Sequence, residues 1–127
     1  MDLSALTAIS PIDGRYRNQL QHLGYYFSEY ALIRYRIKVE IEYLVALSEK
    51  KLFSLKPAQI RSLRELYENF NTDLATEVKN VERITNHDVK AVEYFIKKEI
   101  DAMKLSSIKE WVHFGLTSQM FEIRTGR

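Results

Sequence analysis

Apolar residues recur along this chain at spacings of three and four, the repeat of helices that bury one face. Between residues 28 and 50 the stripe is Ile33, Ile37, Ile41 and Leu44, and Ser28 stands where a cap is needed. Part of this segment, RYRIKVEIEY, instead alternates charged or polar residues with apolar ones, the period of a half-buried strand. The run continues for more than 20 residues without a break, whereas strands average about five or six. Length decides for a helix. Its charged residues Arg34, Arg36, Lys38, Glu40 and Glu42 are then expected on a solvated face, with Arg36 paired to Glu40 and Lys38 to Glu42 one turn apart.

Pro57 suits the first turn of a second helix, striped by Ile60, Leu63, Tyr67 and Phe70. A third begins at Thr72 and Asp73 and places Leu74, Val78 and Val81 on one side. A fourth begins near Asp88 and carries Val89, Val92, Ile96, Ile100 and Met103. Ser107 and Glu110 form a capping box for a fifth, with Ile108, Trp111 and Val112. Residues 1–26 read as irregular, broken by Pro11 and Gly14. The pattern predicts an all-α fold, and four Gly and two Pro in the whole chain agree with long helices. Several segments are apolar on more than one face, which predicts neighbours beyond this chain.

Composition narrows the function classes. The chain has 127 residues, 46% of them hydrophobic, enough to bury roughly two thirds of its unfolded surface. Its 19 basic and 17 acidic residues are interspersed and leave a net charge of +2, so no basic stripe points to nucleic acid or an anionic membrane. There is no cysteine, which excludes disulfides, thiolate metal sites and cysteine nucleophiles. The N-terminus lacks the basic and apolar regions of a secretory signal, and no apolar run is long enough to span a membrane. A cytoplasmic protein is expected. His22, His87 and His113 show no metal-ligand spacing, so no metal is expected, and no glycine-rich phosphate loop is present.

Three short stretches carry candidate chemistry. In TNHDVKAVEYFI, Asn86, His87 and Asp88 stand together where a helix begins. A helix N-terminus offers free N–H groups and a partial positive charge, and so attracts carboxylates and phosphates. Asn86 or Asp88 can cap it, and His87 can donate or accept near neutral pH. The same triplet also reads as a plain cap, a solvated histidine and an acid complementing the dipole. In SPIDGRY, Arg15 offers a fork of donors suited to phosphate and Tyr16 a hydroxyl and a ring, while Gly14 permits a tight turn. An ordinary Asp-Gly turn beside a surface arginine fits equally. In HFGLTS, Thr117 and Ser118 follow a helix end at Gly115 and can bind a carboxylate or simply form a turn.

Taken in order, SPIDGRY, FSEYALIRYRIKVEIEYL, ERITNHDVKAVEYF and VHFGLTSQ resemble the start of the adenylosuccinate lyase family, within the fumarase/aspartase superfamily. The resemblance runs over residues 1–119. It implies an all-α N-terminal domain of an enzyme that is a homotetramer built on a long helical bundle. It implies elimination of fumarate from adenylosuccinate, leaving AMP, and from the succinyl-carboxamide ribotide of purine synthesis, with no metal or organic cofactor. By the same resemblance Arg15 and Tyr16 bind the substrate phosphate. Asn86, His87 and Asp88 line the substrate pocket, and Thr117 and Ser118 contact the succinyl group. Where the family continues Asp-Ile-Asn-Asn, this chain reads MFEIRTGR over residues 120–127, a divergent tail. The main acid and base of the family lie downstream of the matched part, and each active site draws on three subunits. No catalytic residue is therefore assigned within the chain, and alone it is expected to be inactive. The alternative is a helical interaction module that associates with lyase subunits or with itself.

Overall fold

A computed structural model describes residues 1–116. They divide into two compact units, residues 1–32 and the chain from Ile33 onward. The described residues are all-α, with no strand among them.

In the first unit residues 1–16 hold only turns and bends, as the sequence suggested, but residues 17–27 form a succession of short helical turns: Arg17–Leu20, the 3-10 turn Gln21–Leu23, and Gly24–Phe27. Within SPIDGRY the Pro11 carbonyl accepts from Gly14 N at 3.3 Å and from Tyr16 N at 2.9 Å. Gly14 is buried. A Cβ at this position would lie 2.7 Å from the Ala5 carbonyl oxygen and 2.8 Å from the Ala8 Cβ. The motif therefore needs glycine for space, because the 4–8 turn packs directly on it.

The boundary between the units falls inside helix α1, Glu29–Glu49. Ser28 caps this helix, its Oγ accepting from Ala31 N at 3.1 Å. In the second unit, α2 is Pro57–Glu68, α3 is Thr72–Thr85 and α4 is Asp88–Ala102. Pro57 opens α2 as expected, while Lys56 N donates to Gln59 Oε1 at 2.8 Å. Phe70 lies past the end of α2 but is still buried, packed edge-on against Phe95 of α4. The fifth predicted helix is instead the 3-10 segment Ser106–Trp111, with no side-chain cap. It packs on α4, and α3 packs most extensively on α4.

Ile37, Ile41, Leu44, Leu63, Val78, Val92, Ile96 and Ile100 form the core of this unit, as the helical stripes predicted. The charge run on α1 departs from expectation. Arg36 and Glu40 are each only 2% exposed. On a helical wheel Glu40 lies about 20° and Arg36 about 60° to one side of Ile33, bordering the Ile33, Ile37, Ile41 stripe, so a buried face wider than the isoleucines takes these charges in with them. Their partners lie elsewhere in the chain, at Asp88 and His113. Glu42 also looks away from Lys38. It takes Arg64 on both oxygens, at 3.0 and 3.2 Å, and accepts from the Tyr67 hydroxyl, tying α1 to α2. Burial raises the Glu42 carboxyl, but the bonds from Arg64 and Tyr67 outweigh it and hold the group below its usual range. Burial and the Glu42 charge push the Tyr67 phenol up to about 12.

Candidate functional site

The densest group of candidate residues lies where α3 ends and α4 begins. Asn86 closes α3 in the left-handed conformation, φ 55°, with its N–H donating to the Glu82 carbonyl at 2.7 Å. The N-cap of α4 is neither Asn86 nor Asp88, as expected, but His87, whose Nδ1 accepts from Lys90 N at 3.2 Å. With Nδ1 accepting, the ring proton of a neutral His87 is assigned to Nε2, which makes Nε2–H a donor. Asn86 and His87 are exposed. Asp88 divides its carboxylate. Oδ1 accepts from Val89 N at 2.9 Å, and Oδ2 meets Arg36 Nη1 at 2.9 Å. Asn86 thus ends one helix, His87 starts the next, and Asp88 fastens the joint to α1.

A second group follows the 3-10 segment. His113 Nδ1 pairs with Glu40 Oε1, and Tyr43 OH donates to the Phe114 carbonyl at 2.7 Å. His113 and Gly115 both have positive φ, 62° and 72°. For a histidine this conformation costs on the order of 1 kcal/mol and persists where surrounding contacts fix it. The bond to Glu40 raises the His113 pKa above the usual 6.5, with the nearby Glu93 charge adding, against burial and the Lys90 charge, which lower it. Glu93, itself largely buried, meets Lys90 at 3.3 Å and Lys97 at 3.7 Å. Among the described residues Glu40 Oε2 has no hydrogen-bond partner.

Arg15 and Tyr16 belong to the first unit. Both are exposed, and the Arg15 guanidinium lies 5.4 Å from the centre of the Tyr16 ring. Asp13 and Arg17 beside them form an ion pair at 2.5 Å, and a 560 Å³ cleft in this unit is lined in part by Ser10, Ile12, Asp13 and Arg17. Thr117, Ser118 and the 120–127 tail lie outside the described residues. Sequence reasoning missed Arg36, Glu40, Glu93 and His113. A partial signal was present for Glu40, which the helical wheel places next to Ile33 at the border of the apolar stripe. Among the described residues no group of three His, Asp or Glu is arranged to hold a metal ion, and no helix is long and apolar enough to cross a membrane.

No family model matches the chain. Among curated proteins, the adenylosuccinate lyase of Dictyostelium discoideum is 51% identical over 128 residues, covering 94% of this chain and 27% of that protein. The adenylosuccinate lyases of Vibrio cholerae (strain O395) and Escherichia coli (strain K12) are 45% and 40% identical, each again over 94% of this chain and 27% of the relative. The chain thus spans about a quarter of the length of the curated relatives it matches, and over 94% of its own length it is homologous to adenylosuccinate lyases.

Proposed function

We propose that the chain is the N-terminal part of an adenylosuccinate lyase and supplies substrate-binding residues to it. The parent enzyme eliminates fumarate from adenylosuccinate, giving AMP, and from the succinyl-carboxamide ribotide in purine biosynthesis. The observation that carries this reading is the identity of 40–51% over 94% of the chain. In such an elimination a base removes the proton beside a carboxylate, an acid protonates the departing nitrogen, and donors stabilise the carbanion that develops. The polar start of α4 suits the donor role, because its dipole and His87 Nε2–H both favour an anionic dicarboxylate.

In this reading Asn86, His87 and Asp88 line the pocket, Arg15 and Tyr16 bind the phosphate, and Thr117 and Ser118 contact the succinyl group. The main acid and base come from further along the parent sequence and from other subunits of a homotetramer, so the chain alone releases no fumarate. The enzyme works in the cytoplasm, without metal or cofactor, on small molecules rather than nucleic acid or membrane.

Amide spectra of the 127-residue chain, titrated separately with AMP and fumarate, test the site. Weak binding is expected. AMP should shift Arg15 and Tyr16, fumarate should shift Asn86 to Asp88, and Arg15→Ala should abolish the AMP response. No response to either ligand, or tight AMP binding that survives Arg15→Ala, overturns the assignment. A second reading, a helical module that associates with lyase subunits or itself, is favoured by exposed apolar side chains at Ile84, Tyr94 and Phe114. Light scattering separates the two, since a strictly monomeric, nucleotide-binding chain excludes self-association.

A further inference from the structure

Three side chains on one stretch of α1 reach across to the two segments just described. Arg36 meets Asp88 at the start of α4, Glu40 meets His113, and Tyr43 donates to the Phe114 carbonyl. They lie within two turns of one helix, so their separation along its axis is fixed at about 1.5 Å per residue. Arg36 and Glu40 are buried. A buried ion pair is weak evidence for stability, because an apolar pair of the same volume often serves as well or better. The Glu40 carboxylate, with one oxygen lacking a partner among the described residues, is a poor choice for a core built only to be stable. The segment it holds includes a histidine at positive φ, a backbone state that contacts from outside must enforce.

We infer that Arg36, Glu40 and Tyr43 are positioning residues, with α1 acting as a ruler that sets residues 86–88 and 113–116 at a fixed distance from each other. The inference deepens the proposed function and rests on reading residues 86–88 as substrate contacts. Arg36 aims Asp88 and through it the His87 cap. Glu40 and Tyr43 hold the turn at residues 113–116, Glu40 through the His113 ring and Tyr43 through the Phe114 carbonyl. Glu93 and Lys90 of α4 also act on the His113 ring.

Amide spectra of the chain and of Arg36→Met, Glu40→Gln and Tyr43→Phe test this without any ligand. Arg36→Met should shift Asn86 to Val89 well beyond residues of α2. Glu40→Gln and Tyr43→Phe should shift Val112 to Leu116, and Glu40→Gln should return the His113 ring titration to the ordinary histidine range. Arg36→Lys, which keeps the charge, should recover part of the wild-type pattern. Shifts spread evenly over the helical unit, or a His113 titration indifferent to Glu40→Gln, overturn the inference. Tyr43→Phe removes one hydroxyl and leaves the buried charges in place. Should the two charge variants not fold, it decides together with the wild-type His113 titration, and an ordinary wild-type value overturns the inference. Ligand binding is read separately. A wild type that binds neither AMP nor fumarate defeats the substrate reading, and the amide shifts still decide the positioning claim. If the wild type binds fumarate, Arg36→Met and Glu40→Gln should weaken it on the order of tenfold, as loss of an orienting partner does elsewhere. Unweakened binding counts against positioning.

Discussion

At the residue scale the chain places charge where its sequence promised solvent. Arg34, Arg36, Lys38, Glu40 and Glu42 look alike in RYRIKVEIEY, yet two of the five are buried and three are not. Alternating composition conceals this, because it follows a period of two while the helix sorts side chains by its own period of 3.6. Glu40 could be placed inside from the wheel, but its partner, 73 residues away in the chain, could not. The pair sets a pH dependence. Because folding raises the His113 pKa above 6.5, its contribution to stability is fully present below pH 6.5 and is lost as pH rises through the folded value. Urea unfolding midpoints taken stepwise upward from pH 6 should therefore fall, and in His113→Gln this component of the fall should vanish. His87 offers a second measurement. As an N-cap its replacement by alanine should cost about 0.5–2 kcal/mol in urea unfolding. A change within a few tenths of zero would mean that the Nδ1 contact to Lys90 N is not a working cap.

At the scale of elements, the helices were legible and their ends were less so. The stripes of α1 to α4 predicted the buried residues because period and burial are the same fact read twice. The ends depend on single hydrogen bonds and on backbone sign, which composition reports poorly. Ser107 and Glu110 have the spacing of a capping box, yet the segment becomes a 3-10 turn. It starts two residues after Lys104, which lies just past the end of α4 in the left-handed conformation at φ 62°, and the Leu105 N–H turns back to the Ile100 carbonyl at 3.0 Å. Glycine pays no Cβ penalty there, so Lys104→Gly should stabilise the chain by up to about 1 kcal/mol. Thermal unfolding reads this directly, and a loss of stability would show that Lys104 makes a contact worth more than its strain. In the core, Ile96→Ala should cost about 2–5 kcal/mol, since Ile96 is fully buried on α4.

At the scale of the whole molecule, the two units differ in what they bury. From Ile33 onward there is a contiguous apolar core, while in residues 1–32 Leu3, Leu6 and Ile9 are almost fully exposed. Local stability follows buried apolar contact. Hydrogen exchange should therefore proceed fastest in residues 1–27 and slowest in α1 and α4 near Ile37, Ile41, Val92 and Ile96. Equal protection in both units would show that something beyond the chain's own core stabilises the first. The candidate site was legible as motifs, SPIDGRY and TNHDV, but not as a constellation. The ties from Asp88 to Arg36 and from His113 to Glu40 are long-range and appear only once the helices are packed.

Between Thr85 and Asp88 just two residues pass from α3 to α4, and both are committed: Asn86 to ending one helix, His87 to starting the other. The joint has no slack. One extra residue inside the first turn of α4 would rotate everything after it by about 100° relative to what precedes it, parting Asp88 from Arg36 or Val89 and Val92 from the core. The interval can therefore tolerate a change of letter far more readily than a change of length. Across descendants of this chain, insertions and deletions there should be purged.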